Sequence, residues 1–174
     1  MKRILIIGSN GSGKSTFSFA LEEILGLPLV HIDQIYWRDA WEVTPQEEFR
    51  QLVLQEAQKD CWIIEGNHIR TLCDRLAFAD TLFWFEFAPI VCLWGILCRE
   101  FRFRGKARPD MPEGCISRLE ISFLRYAWSF NRKNRVRIQE ALSAAPHVKV
   151  IRFTCRRQVE QYIQRLQEET HAQL

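Results

Sequence analysis

Eight residues near the amino terminus restrict the fold more than any other part of the chain. Gly8-Ser9-Asn10-Gly11-Ser12-Gly13-Lys14-Ser15 fits the pattern G-x-x-x-x-G-K-[ST] in full. Ile4-Leu5-Ile6-Ile7, just before it, suits a strand buried on both faces. Ser15 to Leu25, just after it, places Phe17, Ala20, Leu21 and Ile24 on one helical stripe, and Gly26 and Pro28 end that helix. Strand, glycine loop and helix in this order give the pattern its physical meaning. Glycines let the backbone curl until successive N–H groups point inward, and the helix start adds its unpaired amides and positive dipole end. Such a cradle fits a polyphosphate. Gly8, Ser9, Asn10, Gly11, Ser12, Gly13, Lys14, Ser15 and Thr16 are therefore the expected ATP-binding set. Lys14 is expected to reach the β- and γ-phosphates as a catalytic group, and Ser15 to place its hydroxyl on Mg²⁺.

The remaining chain alternates strands with helices. Leu29 to Ile32 reads as a second strand ending at Asp33. Thr44-Pro45-Gln46-Glu47 has the order of an N-cap, a first-turn proline and a capping-box acid, so a helix should follow to about Lys59. Cys61 to Ile64 reads as a third strand, Thr81 to Phe87 as a fourth and Val148 to Phe153 as a fifth. Helices are expected over about Ile90 to Arg104, Ser117 to Leu142 and Val159 to Glu168, with Gly105 to Gly114 as a loop. The alternation predicts an α/β protein with three layers, a parallel sheet between helices. No linker interrupts residues 1–174, so one domain is expected, with an insertion over about 99–118.

Ligands of open parallel sheets gather at the carboxyl ends of the strands. Asp33 and Glu65 each follow a strand directly and should face the glycine loop. Phosphoryl transfer needs a carboxylate to hold hydrated Mg²⁺ and often another to orient or deprotonate the acceptor. Glu65 is assigned to the metal with Ser15, and Asp33 to the acceptor as a catalytic and binding residue. Trp37 and Trp41, in a polar stretch after Asp33, are candidates for the acceptor pocket; Asn67 and Arg75, beyond the third strand, join them. The other tryptophans, Trp62, Trp84, Trp94 and Trp128, are read mainly as core. His31 and His68 are read as structural.

Charge is unevenly placed. Residues 99 to 137 hold eleven basic and four acidic residues, +7, which leaves −4 elsewhere for a total of +3. Gly105 and Gly114 would allow Arg104 and Arg108 to ride on a closing flap that stabilises the transferred phosphoryl group. Arg135, on the helix after the flap, is a further candidate for the acceptor side. The interleaved Phe101 and Phe103 also fit base stacking, so a regulator binding nucleic acid is the competing reading. Six cysteines without a C-x-x-C pair argue against a zinc site and for reduced thiols in the cytoplasm. The most apolar window, Leu82 to Cys98, contains Glu86 and Pro89 and reads as strand then helix, not as a membrane span. At 47% hydrophobic and 26% charged residues, disorder is excluded.

These blocks together resemble the small adenylate-kinase-related proteins known as topology modulation, or FlaR-like, proteins. The resemblance runs over nearly the whole chain. It covers the Gly8-to-Ser15 loop, His31-Ile32-Asp33 with Tyr36-Trp37, and Trp62-Ile63-Ile64-Glu65-Gly66-Asn67. It continues through Arg104-Gly105-Lys106-Ala107-Arg108-Pro109-Asp110-Met111 and Glu113-Gly114-Cys115. It implies a P-loop NTPase fold of nucleoside-kinase type, strand order 2-3-1-4-5, and a lid between two long helices. ATP with Mg²⁺ is implied as well, with Arg104 and Arg108 as lid arginines. The chain departs from that family at Glu65, where aspartate is usual, and at His68, where tyrosine is usual. The expected function is a kinase moving the γ-phosphoryl of ATP to a small acceptor, a nucleotide or metabolite. A GTPase is disfavoured, because Asn131-Arg132-Lys133-Asn134 is not a guanine-reading N-K-x-D stretch.

Overall fold

The structure, a computed structural model, describes residues 1–105, 109–112, 114–115 and 119–171. Five strands form its centre: β1 (Arg3–Gly8), β2 (Leu29–His31), β3 (Trp62–Glu65), β4 (Thr81–Phe85) and β5 (Lys149–Phe153). The helices are α1 (Lys14–Leu25), α2 (Ile32–Tyr36), α3 (Gln46–Ala57), α4 (Leu72–Leu76), α5 (Pro89–Arg102), α6 (Ile121–Ser143) and α7 (Arg156–His171). All strand pairs are parallel, in the order β2-β3-β1-β4-β5, with helices on both faces.

β1 is central, and its continuous apolar run follows from burial on both sides. Ile4 and Ile6 point to a core with Phe17 and Leu21 of α1 and Leu166 of α7. Leu5 and Ile7 point to the opposite core, with Phe49 and Val53 of α3, Leu72 of α4 and Ile138 of α6. The start of β1 is pinned to the start of β4, at the end of the sheet away from the glycine loop, by Asp80. Its carboxylate accepts from the amides of Lys2 (2.7 Å) and Arg3 (2.9 Å) and from the Thr81 hydroxyl (2.7 Å).

Register brings the functional ends together. Ile6 lies opposite Glu65, and Glu65 opposite His31, so β1, β3 and β2 finish side by side beneath the glycine loop.

Several boundaries differ from expectation. β2 stops at His31, and Asp33 sits in the first turn of α2. Thr44 does not cap α3. Its hydroxyl donates to the Ile35 carbonyl at 2.7 Å, and Pro45 occupies the cap position. The short α4 and the 3-10 turn Ile69–Thr71 carry too few residues to show a period in the sequence. Trp62 and Trp84 are buried, but Trp94 and Trp128 stand 63% and 54% exposed, which corrects their assignment to the core.

Candidate functional site

The glycine loop has the backbone its sequence demands. Gly8, Gly11 and Gly13 have φ of 142°, 78° and 92°. A side chain on Gly11 would strike the Cys92 carbonyl and Ile96 of α5, and one on Gly95 would strike the Gly11 carbonyl. Two glycines thus let α5 press its backbone against the loop. The first α1 bond runs from the Phe17 amide to the Gly13 carbonyl at 3.0 Å, so the amides of Lys14, Ser15 and Thr16 precede it and are left for an anion. Ser12 Oγ is buried without a hydrogen-bond partner. Lys14 is buried too, its Nζ donating to the Ser9 carbonyl at 3.3 Å and lying 3.7 Å from Glu65. A free anion nest, an orphan hydroxyl and a buried ammonium fit a polyphosphate.

Glu65 is a hub. Its Oε2 accepts from Ser15 Oγ at 3.4 Å and lies 2.9 Å from His31 Nδ1. A carboxylate only accepts, so the proton of that bond sits on Nδ1. Three donors offset the cost of burying the carboxylate. Ser15 Oγ lies 3.0 Å from Asp110 Oδ2 as well, so its single proton serves one of the two carboxylates at a time. Ser15, Glu65 and Asp110 therefore place three oxygen donors at one point, a hard-ligand set that suits Mg²⁺ completed by phosphate and water. Among the described residues, no group of three or more His, Cys, Asp and Glu forms a metal cage.

A cleft of about 1130 Å³ opens from the loop, lined by Asn10, Lys14, Ser15 and Glu65 at one end and by Asp33, Tyr36, Trp37 and His68 farther on. Asp33 Oδ1 lies 3.2 Å from His68 Nε2. Across the cleft, burial and then the Asp33 charge push the Tyr126 phenol above its ordinary pKa. Asn67 Oδ1 accepts from the Gly8 amide at 3.0 Å and its Nδ2 donates to Asn10 at 3.1 Å, so Asn67 braces the loop as well as lining the cleft. Trp37 and Trp41 meet edge to face at 5.3 Å. Ala40 and Trp41 hold φ of 56° and 66°, a left-handed conformation that such residues rarely adopt. Described residues of the connection between α5 and α6 lie across them: the Pro109 carbonyl accepts from Gln34 at 2.9 Å and Cys115 Sγ donates to the Arg38 carbonyl at 3.4 Å.

Two arginine expectations need correction. Arg75 is fully buried and does not reach the cleft. It donates to the carbonyls of Thr71, Gly66, Asn67 and His68 at 3.0 to 3.3 Å, and burial lowers its pKa to about 10, leaving it charged at neutral pH. It shapes the loop after β3. Arg135 turns away toward Glu86 at 3.2 Å, and Arg152 meets the same carboxylate. Arg104 stands exposed on the turn after α5 and is not part of the cleft wall. Arg108 lies outside the described residues. Thr16 is exposed at the start of α1, beside the loop.

Other residues enter the site without having been assigned to it. Arg99, one turn beyond Gly95, lines the cleft and lies 5.8 Å from the Phe123 ring. Asp110 sits in a block whose pattern was visible but whose direction was not. His31, expected to be structural, orients Glu65.

A scan of protein-family models and a search of curated proteins each returned no match. Solved structures do match. Shikimate kinase from Bacteroides thetaiotaomicron superposes with a TM-score of 0.55 at 21% identity, covering 98% of each chain. A presumed kinase from Chloroflexus aurantiacus superposes with a TM-score of 0.49 at 18% identity, over 97% of this chain and 98% of that one. With the sheet order and the glycine loop, the first likeness defines the class: a P-loop NTPase fold of the kinase type.

Proposed function

We propose that this chain is an ATP-dependent phosphotransferase acting on a small acceptor, within the FlaR-like group that its motifs resemble. One observation carries the reading: the lysine of the glycine loop and the Asp33–His68 pair open into the same cleft. Lys14 and the free amides of α1 hold the β- and γ-phosphates. Ser15 and Glu65 hold Mg²⁺, with Asp110 beside them, and the bound ion neutralises charge on the phosphates. Asp33, oriented by His68, aligns the acceptor hydroxyl or takes its proton. Arg99, on the cleft wall, supports a charge-neutralising role that the lid arginines Arg104 and Arg108 complete on closure. Free thiols at all six cysteines support a cytoplasmic setting. No described helix is long and apolar enough to cross a membrane.

The test is phosphoryl transfer from labelled ATP to a panel of nucleotides, nucleosides and hydroxy acids, with wild type and Lys14→Ala. Transfer should drop by about a thousandfold in the variant, while its urea midpoint stays near that of wild type. Undiminished transfer by Lys14→Ala would overturn the reading.

A further inference from the structure

The large apolar side chains that this chain leaves in the open are gathered on two helices. Among the described residues, six are more than half exposed, and all six belong to α5 or α6: Ile90, Trp94 and Phe101 on the first, Ile121, Trp128 and Val136 on the second. Phe101 reaches 86%, whereas no such residue before α5 or after α6 exceeds 46%. Ile90, Trp94, Leu97 and Phe101 follow one another at alternating steps of four and three residues, which puts them on one helical face. The other face of α5 carries the buried Cys92 and Ile96 and presses on the glycine loop through Gly95. Single exposed apolar residues are ordinary, but an ordered stripe of them marks a contact surface.

α6 runs antiparallel along α5. Asn131 donates to the Phe87 carbonyl, just before α5, at 2.8 Å, and Arg99 near the end of α5 lies over Phe123 near the start of α6. The exposed face of α6 repeats the spacing of α5 with apolar and basic residues by turns: Ile121, Arg125, Trp128, Arg132. Over the two helices seven basic residues stand against two acids, Glu100 and Glu140, a net of +5. Glu120, just before α6, accepts from Ser122 at 3.1 Å. This charge selects the occupant. A second copy of the chain would set one basic face against another. A protein partner would have to supply pockets for rings that project from a helix. An anionic lipid surface gives way around projecting tryptophan and phenylalanine, and its headgroups meet the arginines beside them.

We propose that the outer face of α5, with the adjoining face of α6, is a contact surface for an anionic membrane. Trp94, Leu97 and Phe101 enter the headgroup region, Arg125 and Arg132 meet the lipid phosphates, and the chain lies on the bilayer without crossing it. The contact stands apart from the phosphotransferase reading, because it uses the side of α5 turned away from the glycine loop.

The test is co-sedimentation of the full chain with vesicles of phosphatidylcholine alone and of phosphatidylcholine mixed equally with phosphatidylglycerol. Wild type is compared with the double variants Trp94→Ser, Phe101→Ser and Arg125→Gln, Arg132→Gln, and with Leu52→Ser as an apolar control on α3, each checked for folding by its urea midpoint. Wild type and Leu52→Ser should bind the mixed vesicles alike, and the neutral vesicles about tenfold or more weakly. The apolar double variant should lose about tenfold or more on the mixed vesicles. The arginine double variant should lose a similar factor, and added salt should weaken wild type in the same way. A second readout needs no disruptive change: brominated phosphatidylcholine in the mixed vesicles should quench the tryptophan fluorescence of wild type, and quench that of Trp94→Phe less while binding is kept. Absence of binding to the mixed vesicles, binding undiminished in the apolar double variant, or no quenching overturns the proposal. So does a dimer in solution that the apolar double variant abolishes, which would assign the face to a second copy. A single-stranded oligonucleotide held through the same residues in preference to vesicles overturns it as well.

Discussion

Arg75 illustrates how a charged side chain can be structural. Four backbone carbonyls of residues 66 to 71 face it, and of these the His68 carbonyl also accepts from the amide and hydroxyl of Thr71. Removing it leaves buried acceptors unpaired, each costing on the order of 1 to 3 kcal/mol, partly offset by the desolvation no longer required. Arg75→Met should therefore destabilise the chain by about 3 kcal/mol, read from urea unfolding, and loosen the loop that carries Asn67 and His68. The sequence shows an arginine after a strand and near two aspartates, which fits a substrate ligand as well as a clamp for carbonyls. The difference lies in the direction of the side chain, which spacing does not carry. The glycine loop is the contrary case. There glycine spacing encodes backbone conformation, and the positive φ of Gly8, Gly11 and Gly13 agrees with the pattern.

At the scale of elements, α5 is the part whose role composition conceals. Glycine in a helix interior normally weakens the helix by about 1 kcal/mol relative to alanine. Gly95→Ala should here reverse that sign, because its new methyl group would occupy the place of the Gly11 carbonyl. The helix must then move off the glycine loop, and Mg·ATP affinity should fall by about tenfold or more on calorimetry, even where helical content by circular dichroism is kept. An unchanged affinity would show that α5 does not shape the loop. The strands were legible because apolar runs between turn residues have one good solution in a parallel sheet. The start of α2 was not, since Ile32 continues the apolar run of β2 and only tertiary packing ends the strand at His31. Asp33 consequently stands in the first turn of α2, where it lines the cleft.

For the whole molecule, the sheet is fastened at the end opposite the site by Asp80. Burial alone would raise its pKa. Hydrogen bonds from Thr81, Lys2 and Arg3, with the amino-terminal charge, outweigh burial and hold it below the ordinary value. A folded-state pKa below the unfolded one stabilises the fold above the unfolded value and ceases to do so as pH falls through the folded value. Asp80→Asn should thus lower the thermal midpoint at pH 7, and the gap to wild type should narrow as pH drops below about 4. A gap independent of pH would locate the effect elsewhere. The sheet order came from resemblance and matches the structure, whereas the path of the connection between α5 and α6 back over residues 34 to 41 depends on contacts between distant segments that no local pattern records.

The central place of β1 bears on how the chain is made. It is made before the other four strands, yet its hydrogen-bonding neighbours are β3 and β4, whose residues begin at Trp62 and Thr81. Synthesis at about 5 to 20 residues per second leaves this apolar strand with both edges bare for several seconds. Its glycine loop has no outer wall until α5 has also appeared. The strand that leads into the glycine loop is therefore the one most in need of chaperone cover until β3 and β4 have followed it.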